Sequence, residues 1–298
     1  MIESWDEYSA INRALSNLIN KVSAIKEIKV ALEHIISAGG KRTRPIIALL
    51  SGKLCGGCIN DVMNLALAVE LIHTASLAHD DVIDRGVTRR NVETLHVKYD
   101  VTTAILVGDW LISKSIELVS SYGEDVIKNF AEVGMLMAEG EILDVYSIKK
   151  QNFGEKDYFK CIKYKTASLF AFSAESACKI VGGSKSEVKN MYEYGNNLGI
   201  AYQLVDDLKE FLELYDDKSS EFESKTLPMI YEEKYGFEEA VAKTLEHIKN
   251  YSKRSVKALS NFEDCESKNK LLKMVDYMTR LLLVTCKKDT VAKLLESF

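Results

Sequence analysis

Proline is nearly absent from this chain, with only Pro45 and Pro228 in 298 residues. A sequence so short of helix breakers, 47% hydrophobic and otherwise rich in helix formers, builds long uninterrupted helices. No linker rich in proline, glycine or serine divides it, and no useful run alternates with the period of two that marks a half-buried strand. The expected fold is all-α, a single domain over residues 1–298 formed by a bundle of long, mostly antiparallel helices.

Positive charge is lacking too. The formal net charge is −5, and the lysines are scattered among glutamates instead of forming a stripe, which excludes a nucleic-acid partner and makes any anion site local. No apolar stretch reaches the roughly 18 to 20 residues needed to span a bilayer. The start, Met1-Ile2-Glu3-Ser4-Trp5-Asp6, has no signal-peptide pattern, so a cytoplasmic protein without a transmembrane segment is expected. Six cysteines at irregular spacing exclude a disulfide framework. Cys55-Gly56-Gly57-Cys58 has metal or redox spacing, but no second such pair and no nearby histidine pair completes a zinc site.

What the chain does have is two aspartate-rich stretches about 120 residues apart, Asp80-Asp81-Val82-Ile83-Asp84 and Asp206-Asp207-Leu208-Lys209-Glu210. Each ends an apolar, helix-patterned run. Carboxylates at i and i+4 stand about 6 Å apart along a helix, so each stretch presents a small acidic face. Such pairs are usually solvated surface. At the ends of buried-type runs, however, they repel one another and lose hydration unless cations or hydrogen bonds compensate. Oxygen-only clusters that stay partly open favour Mg²⁺, which shares its coordination sphere with phosphate oxygens. A metal-bound diphosphate or similar anion is the expected ligand.

The periodicity predicts helix from about residue 6 to Ser37, a stop at Ala38-Gly39-Gly40, and a new helix after Pro45. Gly56-Gly57 closes that helix, and Asp61 is the expected N-cap of the run carrying the first acidic stretch. Helices follow over 102–122, 125–148, 156–181, 185–215, 227–235 and 237–262, with a terminal helix from Lys268. The polar stretch 216–225 reads as a mobile surface loop just beyond the second acidic face, where a lid would be useful.

Gly39-Gly40-Lys41-Arg42-Thr43-Arg44-Pro45 sets three cations on a glycine turn before a helix, whose free amides and dipole favour anions. Arg89-Arg90 lies a few residues after Asp84, which puts guanidinium forks beside the acidic face. Two cationic clusters and two acidic faces imply two phosphorylated substrates. Lys165-Thr166 interrupts an apolar and aromatic segment, where a lysine either snorkels to the surface or meets an anion. Gln203 lies on nearly the same helical face as Asp206, and His73 near that of Asp80, although a lone histidine on an apolar helix is more often a core residue.

Together these segments resemble the trans-isoprenyl diphosphate synthases of the polyprenyl synthetase family, of the geranylgeranyl or farnesyl diphosphate synthase type. The matching segments are GGKRTRP at 39–45, ELIHTASLAHDDVID at 70–84, Arg89-Arg90, Gly108-Asp109, Gly140-Glu141, KTASLF at 165–170 and YQLVDD at 202–207. They stand in the family's order. The resemblance implies a helical bundle around a central apolar cavity and the condensation of isopentenyl diphosphate with an allylic diphosphate. It implies Mg²⁺ at Asp80, Asp84 and Asp206, with Asp81 in the same catalytic motif. Arg89, Lys165, Thr166 and Gln203 would then hold the allylic diphosphate, and Lys41, Arg44, His73 and Arg90 isopentenyl diphosphate. Lys225, and less so Lys218, would serve as lid cations, and the protein would be a homodimer. In the family, bulky aromatics four or five residues before the first aspartate tend to stop chain growth early. Here those positions are Ser76 and Ala75, so a product of C20 or longer is implied, with a floor at Ile72, Ile105 or Met135.

The chain departs from the family at Glu210, where aspartate is usual, and in the segment after it, which lacks the usual glycine- and lysine-containing lid. That leaves a low-activity or regulatory subunit of a synthase complex as the alternative. A terpene cyclase of the same fold would not need the cradle of Lys41 and Arg44. A di-iron carboxylate bundle is raised by Glu70-x-x-His73 and Glu93-x-x-His96, but those copies are only 23 residues apart and leave the cations unexplained.

Overall fold

The structure, a computed structural model, describes residues 2–215 and 224–284, so Lys218 lies outside the described residues. The fold is all-α. Helix α1 (Asp6–Lys21) and helix α2 (Lys26–Ser37) replace the single helix expected from 6 to 37. A straight helix of that length would run about 48 Å, well past a small domain. The chain instead turns at 22–25, so that Ile11, Leu15 and Ile19 of α1 and Leu32 and Ile36 of α2 share one core.

Helix α3 (Thr43–Leu54) starts two residues before Pro45, which its first turn tolerates because amides there have no helical acceptor. Helix α4 (Ile59–Ile83) carries the first acidic stretch. Its N-cap is Cys58, and Asp61, expected in that place, sits three residues inside and accepts the Cys58 amide at 2.7 Å. By length and composition α4 could cross a membrane. It is instead the central helix of the bundle, packed by α3, by α6 (Val101–Ser120) and by α9 (Ser168–Ile180).

Between α4 and α6 come a two-residue hairpin, Thr88–Arg89 paired with Val92–Glu93, and the short helix α5 (Leu95–Lys98). Strands this short are invisible to a periodicity reading. Arg90 and Asn91 at its tip both have positive φ, 54° and 63°, as a tight two-residue hairpin turn requires.

Helix α7 (Glu124–Val145) faces α4 across the bundle. Helix α8 (Glu155–Ile162) runs into α9 through one wide π-turn, Lys163–Ala167. Helix α10 (Lys185–Leu214) bears the second acidic stretch and opens on a capping box, in which Ser184 and Glu187 exchange hydrogen bonds of 3.3 and 2.8 Å. Helices α11 (Leu227–Tyr235), α12 (Phe237–Ala258) and α13 (Glu266–Asp276) close the other side. Helices α4 and α10 both pack on α9, and the space between them is a cavity.

Candidate functional site

That cavity has a volume of about 1040 Å³. Its lower part is apolar, with Ile72, Ile112, Gly134, Met137 and Leu169 on its wall. Its upper part carries charge. Helix geometry explains which residues of α4 reach it: successive positions turn by about 100°, so Ser76 lies about 40° from Asp80 whereas Ala75 lies about 140° away. Ile72, His73, Ser76 and Asp80 line the cavity, while Ala75 is 0% exposed and belongs to the core behind it. Ile105 and Met135 are not on the floor either. They do not line the cavity and are 42% and 60% exposed on α6 and α7.

On one side of the upper cavity are cations. Arg44 is buried, lies 4.3 Å over the Phe170 ring and donates to His73 Nε2 at 3.0 Å. Arginine has no acceptor, so His73 accepts with a neutral ring. Burial, then the charges of Arg44, Arg90, Arg89 and Arg42, hold its pKa well below the usual histidine value. The Arg44 Nε is buried without a partner. Lys41 and Arg90 also line this side. Arg90 donates to the Gly39 carbonyl, and a Cβ at Gly40 would lie 2.5 Å from its guanidinium, so the glycine turn is shaped to let that side chain cross it. Arg42, the remaining cation of the turn, is structural: it faces Glu70 and the Ile36 carbonyl inside the bundle.

Carboxylates share the cavity mouth, Asp80 near Lys165 and Arg89, and Asp206 near Lys41 and Arg44. Burial, then the nearby charge of Glu141, pushes Asp80 up to about 7. Asp206 is raised by burial, opposed by a hydrogen bond from Tyr202 and by Lys41. Asp81 turns away from the cavity: Arg89 donates to its Oδ1 at 2.7 Å, so this aspartate positions Arg89 at the rim. Asp84 lies in an adjoining cavity of about 430 Å³, together with Glu141, Asp144, Lys165, Asp207 and Glu210.

Lys165 joins the two cavities. The π-turn offers its ammonium to Glu141 at 2.8 Å and Asp144 at 2.6 Å. Burial disfavours its charge, but those two carboxylates raise its pKa above the usual lysine value. Gly140 makes the approach possible, since a Cβ there would sit 2.2 Å from the Lys165 amide nitrogen. Thr166 donates to Gln203 Oε1 at 2.6 Å, and Gln203 Nε2 donates to Asp207 at 2.7 Å. Gln203, expected as a diphosphate contact, thus also holds Asp207, one full turn on. Lys225 lines the smaller cavity but pairs with Glu233 at 2.9 Å.

Glu141, Asp144, Tyr158 and Tyr202 belong to the site without having been expected. Glu141 was legible only as part of Gly140-Glu141, and Asp144 as the carboxylate one turn later. Cys58 caps α4, and the Cys55 thiol is pushed up first by a hydrogen bond with Cys178, so the Cys55-x-x-Cys58 spacing is no shared site. Among the described residues no three histidine, cysteine or acidic side chains converge on a point close enough to hold a metal. The carboxylates of Asp80, Asp84 and Asp206 are oxygen donors of the type that hard cations take together with water and phosphate oxygens.

A model of the polyprenyl synthetase family matches residues 25–257. The chain is 44% identical over 279 residues to a geranylfarnesyl diphosphate synthase of Methanosarcina mazei, covering 93% of this chain and 94% of that protein. It is 34% identical over 268 residues to a geranylgeranyl diphosphate synthase of Sulfolobus acidocaldarius, covering 87% and 79%. A crystal structure of a geranyltranstransferase from Methanosarcina mazei superposes with a TM-score of 0.83 at 40% identity, covering 95% of this chain and all of that one.

Proposed function

The chain belongs to the polyprenyl synthetase family, and from that premise we propose that it condenses isopentenyl diphosphate with an allylic diphosphate, head to tail, into a linear trans-prenyl diphosphate of C20 or longer. One observation carries the reading: a single cavity joins a mouth lined by both cations and buried carboxylates to an apolar lower wall. Lys41, Arg44 and Arg90 bind isopentenyl diphosphate, and neutral His73 orients Arg44. Lys165 and Arg89 bind the allylic diphosphate beside Asp80, Asp84 and Asp206, the residues that would hold Mg²⁺. When bound, Mg²⁺ supplies charge neutralisation for the departing diphosphate.

The allylic C–O bond breaks with its electron pair leaving on the diphosphate. The isopentenyl double bond attacks the allylic cation and forms the new C–C bond, and a proton passes from the adjacent carbon to the departed diphosphate. Fixed cations stabilise the charge that develops on that leaving group, and Ile72, Ile112 and Leu169 keep water from the cation. The small Ser76 and the glycine at 134 leave the lower cavity open, which supports a product longer than farnesyl.

The test is incubation of the purified protein with isopentenyl diphosphate and dimethylallyl, geranyl or farnesyl diphosphate, with and without Mg²⁺, with products read by mass. Condensation in Mg²⁺ and none after chelation is expected. No condensation with any primer would defeat the reading and favour a regulatory subunit.

The protein acts as a homodimer in this proposal. Ile105 and Ile116 of α6 and Met135 of α7 are exposed apolar side chains on two helices packed against each other, which supports a partner face there. Sedimentation equilibrium is expected to return twice the chain mass; the mass of one chain would refute it.

A further inference from the structure

Asp207 uses both of its carboxylate oxygens inside the protein. Oδ2 accepts the hydroxyl of Tyr158, and Oδ1 accepts the Gln203 amide at 2.7 Å. Gln203 is itself held by the Thr166 hydroxyl at 2.6 Å. Tyr158 is 2% exposed, on α8, and sits in the apolar cluster that α8 shares with α10 and α12. The two hydroxyls therefore come from either end of the one segment that carries Lys165, and they grip α10 one turn apart.

This grip decides which aspartate faces which space. Asp206 and Asp207 are about 100° apart around α10. Asp206 lines the large cavity, and Asp207 the wall of the smaller one near Asp144. A buried carboxylate deprived of a donor must find another partner. Without the Tyr158 hydroxyl, Asp207 would keep only the Gln203 donor, and α10 would lose one of the two contacts that hold it against the segment carrying Lys165.

We propose that Tyr158 is a positioning residue: its hydrogen bond to Asp207 fixes the rotation of α10, so that Asp206 alone faces the allylic diphosphate opposite Lys165. This rests on the prenyltransferase reading for its substrate, but the contact itself is tested independently of turnover.

The experiment compares the full-length parent with Tyr158→Phe, Asp207→Ala and the double variant. Calorimetric titration with inorganic diphosphate in Mg²⁺ is run beside steady-state kinetics. Loss of a residue that orients a ligand group typically costs 10- to 100-fold. Tyr158→Phe is therefore expected to weaken diphosphate binding and raise the KM for the allylic substrate by about tenfold or more, with the KM for isopentenyl diphosphate unchanged within about twofold. The double variant should be no worse than the worse single one, because both break one contact. If Tyr158→Phe does not fold, Asp207→Ala, which removes the acceptor, carries the same expectation. The proposal is overturned if folded Tyr158→Phe keeps the parent's diphosphate affinity and ratio of KM values, whatever its melting temperature, or if the two effects simply add. A parent that binds diphosphate but makes no prenyl product would defeat the functional reading while leaving the positioning role to the titration.

Discussion

Replacing Lys165 by alanine is expected to lower kcat by roughly two to three orders of magnitude, the usual effect of removing one fixed donor from a developing oxyanion. The structure gives this lysine three features that a surface cation lacks. It stands on a π-turn, a wide turn often found at functional sites. Gly140 leaves room for its backbone to approach α7. Glu141 and Asp144 hold its ammonium at 2.8 and 2.6 Å, between the two cavities. Since those carboxylates raise its pKa, it stays charged throughout the neutral and mildly alkaline range. Arginine at this position should recover only part of the activity, because its planar fork does not reproduce a compact ammonium. Steady-state kinetics with varied allylic substrate provide the check, with circular dichroism to confirm folding. A folded Lys165→Ala variant within about threefold of the parent kcat would rule out the role given to this residue, since the donor effect invoked is far larger.

Gly134→Leu is expected to shorten the product by at least one five-carbon unit. Ile72 lies eight residues before Asp80, about 12 Å down α4, and Gly134 lies seven before Glu141, about 10 Å down α7. The two meet at the cavity floor, where a Cβ built at Gly134 finds only the Ile72 Cδ1, at 3.9 Å. The missing side chain is thus a gap through which a chain grows past that depth. Leucine would occupy it. Alanine fits without a clash and should raise stability by about 0.5 to 1 kcal/mol, as alanine does relative to glycine inside a helix. Ile72→Ala should act in the opposite sense and lengthen the product. Mass spectrometry of the products reads all three variants. An unchanged distribution from folded, active Gly134→Leu would remove this floor from the account, provided the parent makes C20 or longer.

The site was unevenly legible. The first acidic stretch, the glycine turn and Lys165 could be found because each breaks a local pattern: charge at the end of an apolar helix, or three cations on a flexible turn. Ala75 was misplaced because counting residues back from Asp80 treats a helix as a line, although one residue of difference is 100° of rotation. Ile105 and Met135 read as floor on hydrophobicity alone, yet they are exposed and do not line the cavity, and an apolar residue suits a partner face as well as a core. Gln203 could be read as lying near the face of Asp206, but its bond to the i+4 neighbour Asp207 appears only in the structure. Glu141 and Asp144 sit on an ordinary-looking charged helix face, and only the approach of Lys165 gives them a role.

By itself the sequence determined the helices, the inventory of charges and the order of the motifs, because helix propensity, amphipathic period and capping act over a few residues and are written locally. Only the tertiary structure decided which aspartate of each pair faces the cavity, that Arg89 serves Asp81 and Tyr158 serves Asp207, and where the floor lies. Those outcomes depend on how helices rotate and pack against each other, and on partners far apart along the chain, such as Tyr158 and Asp207, 49 residues apart, which no local pattern encodes.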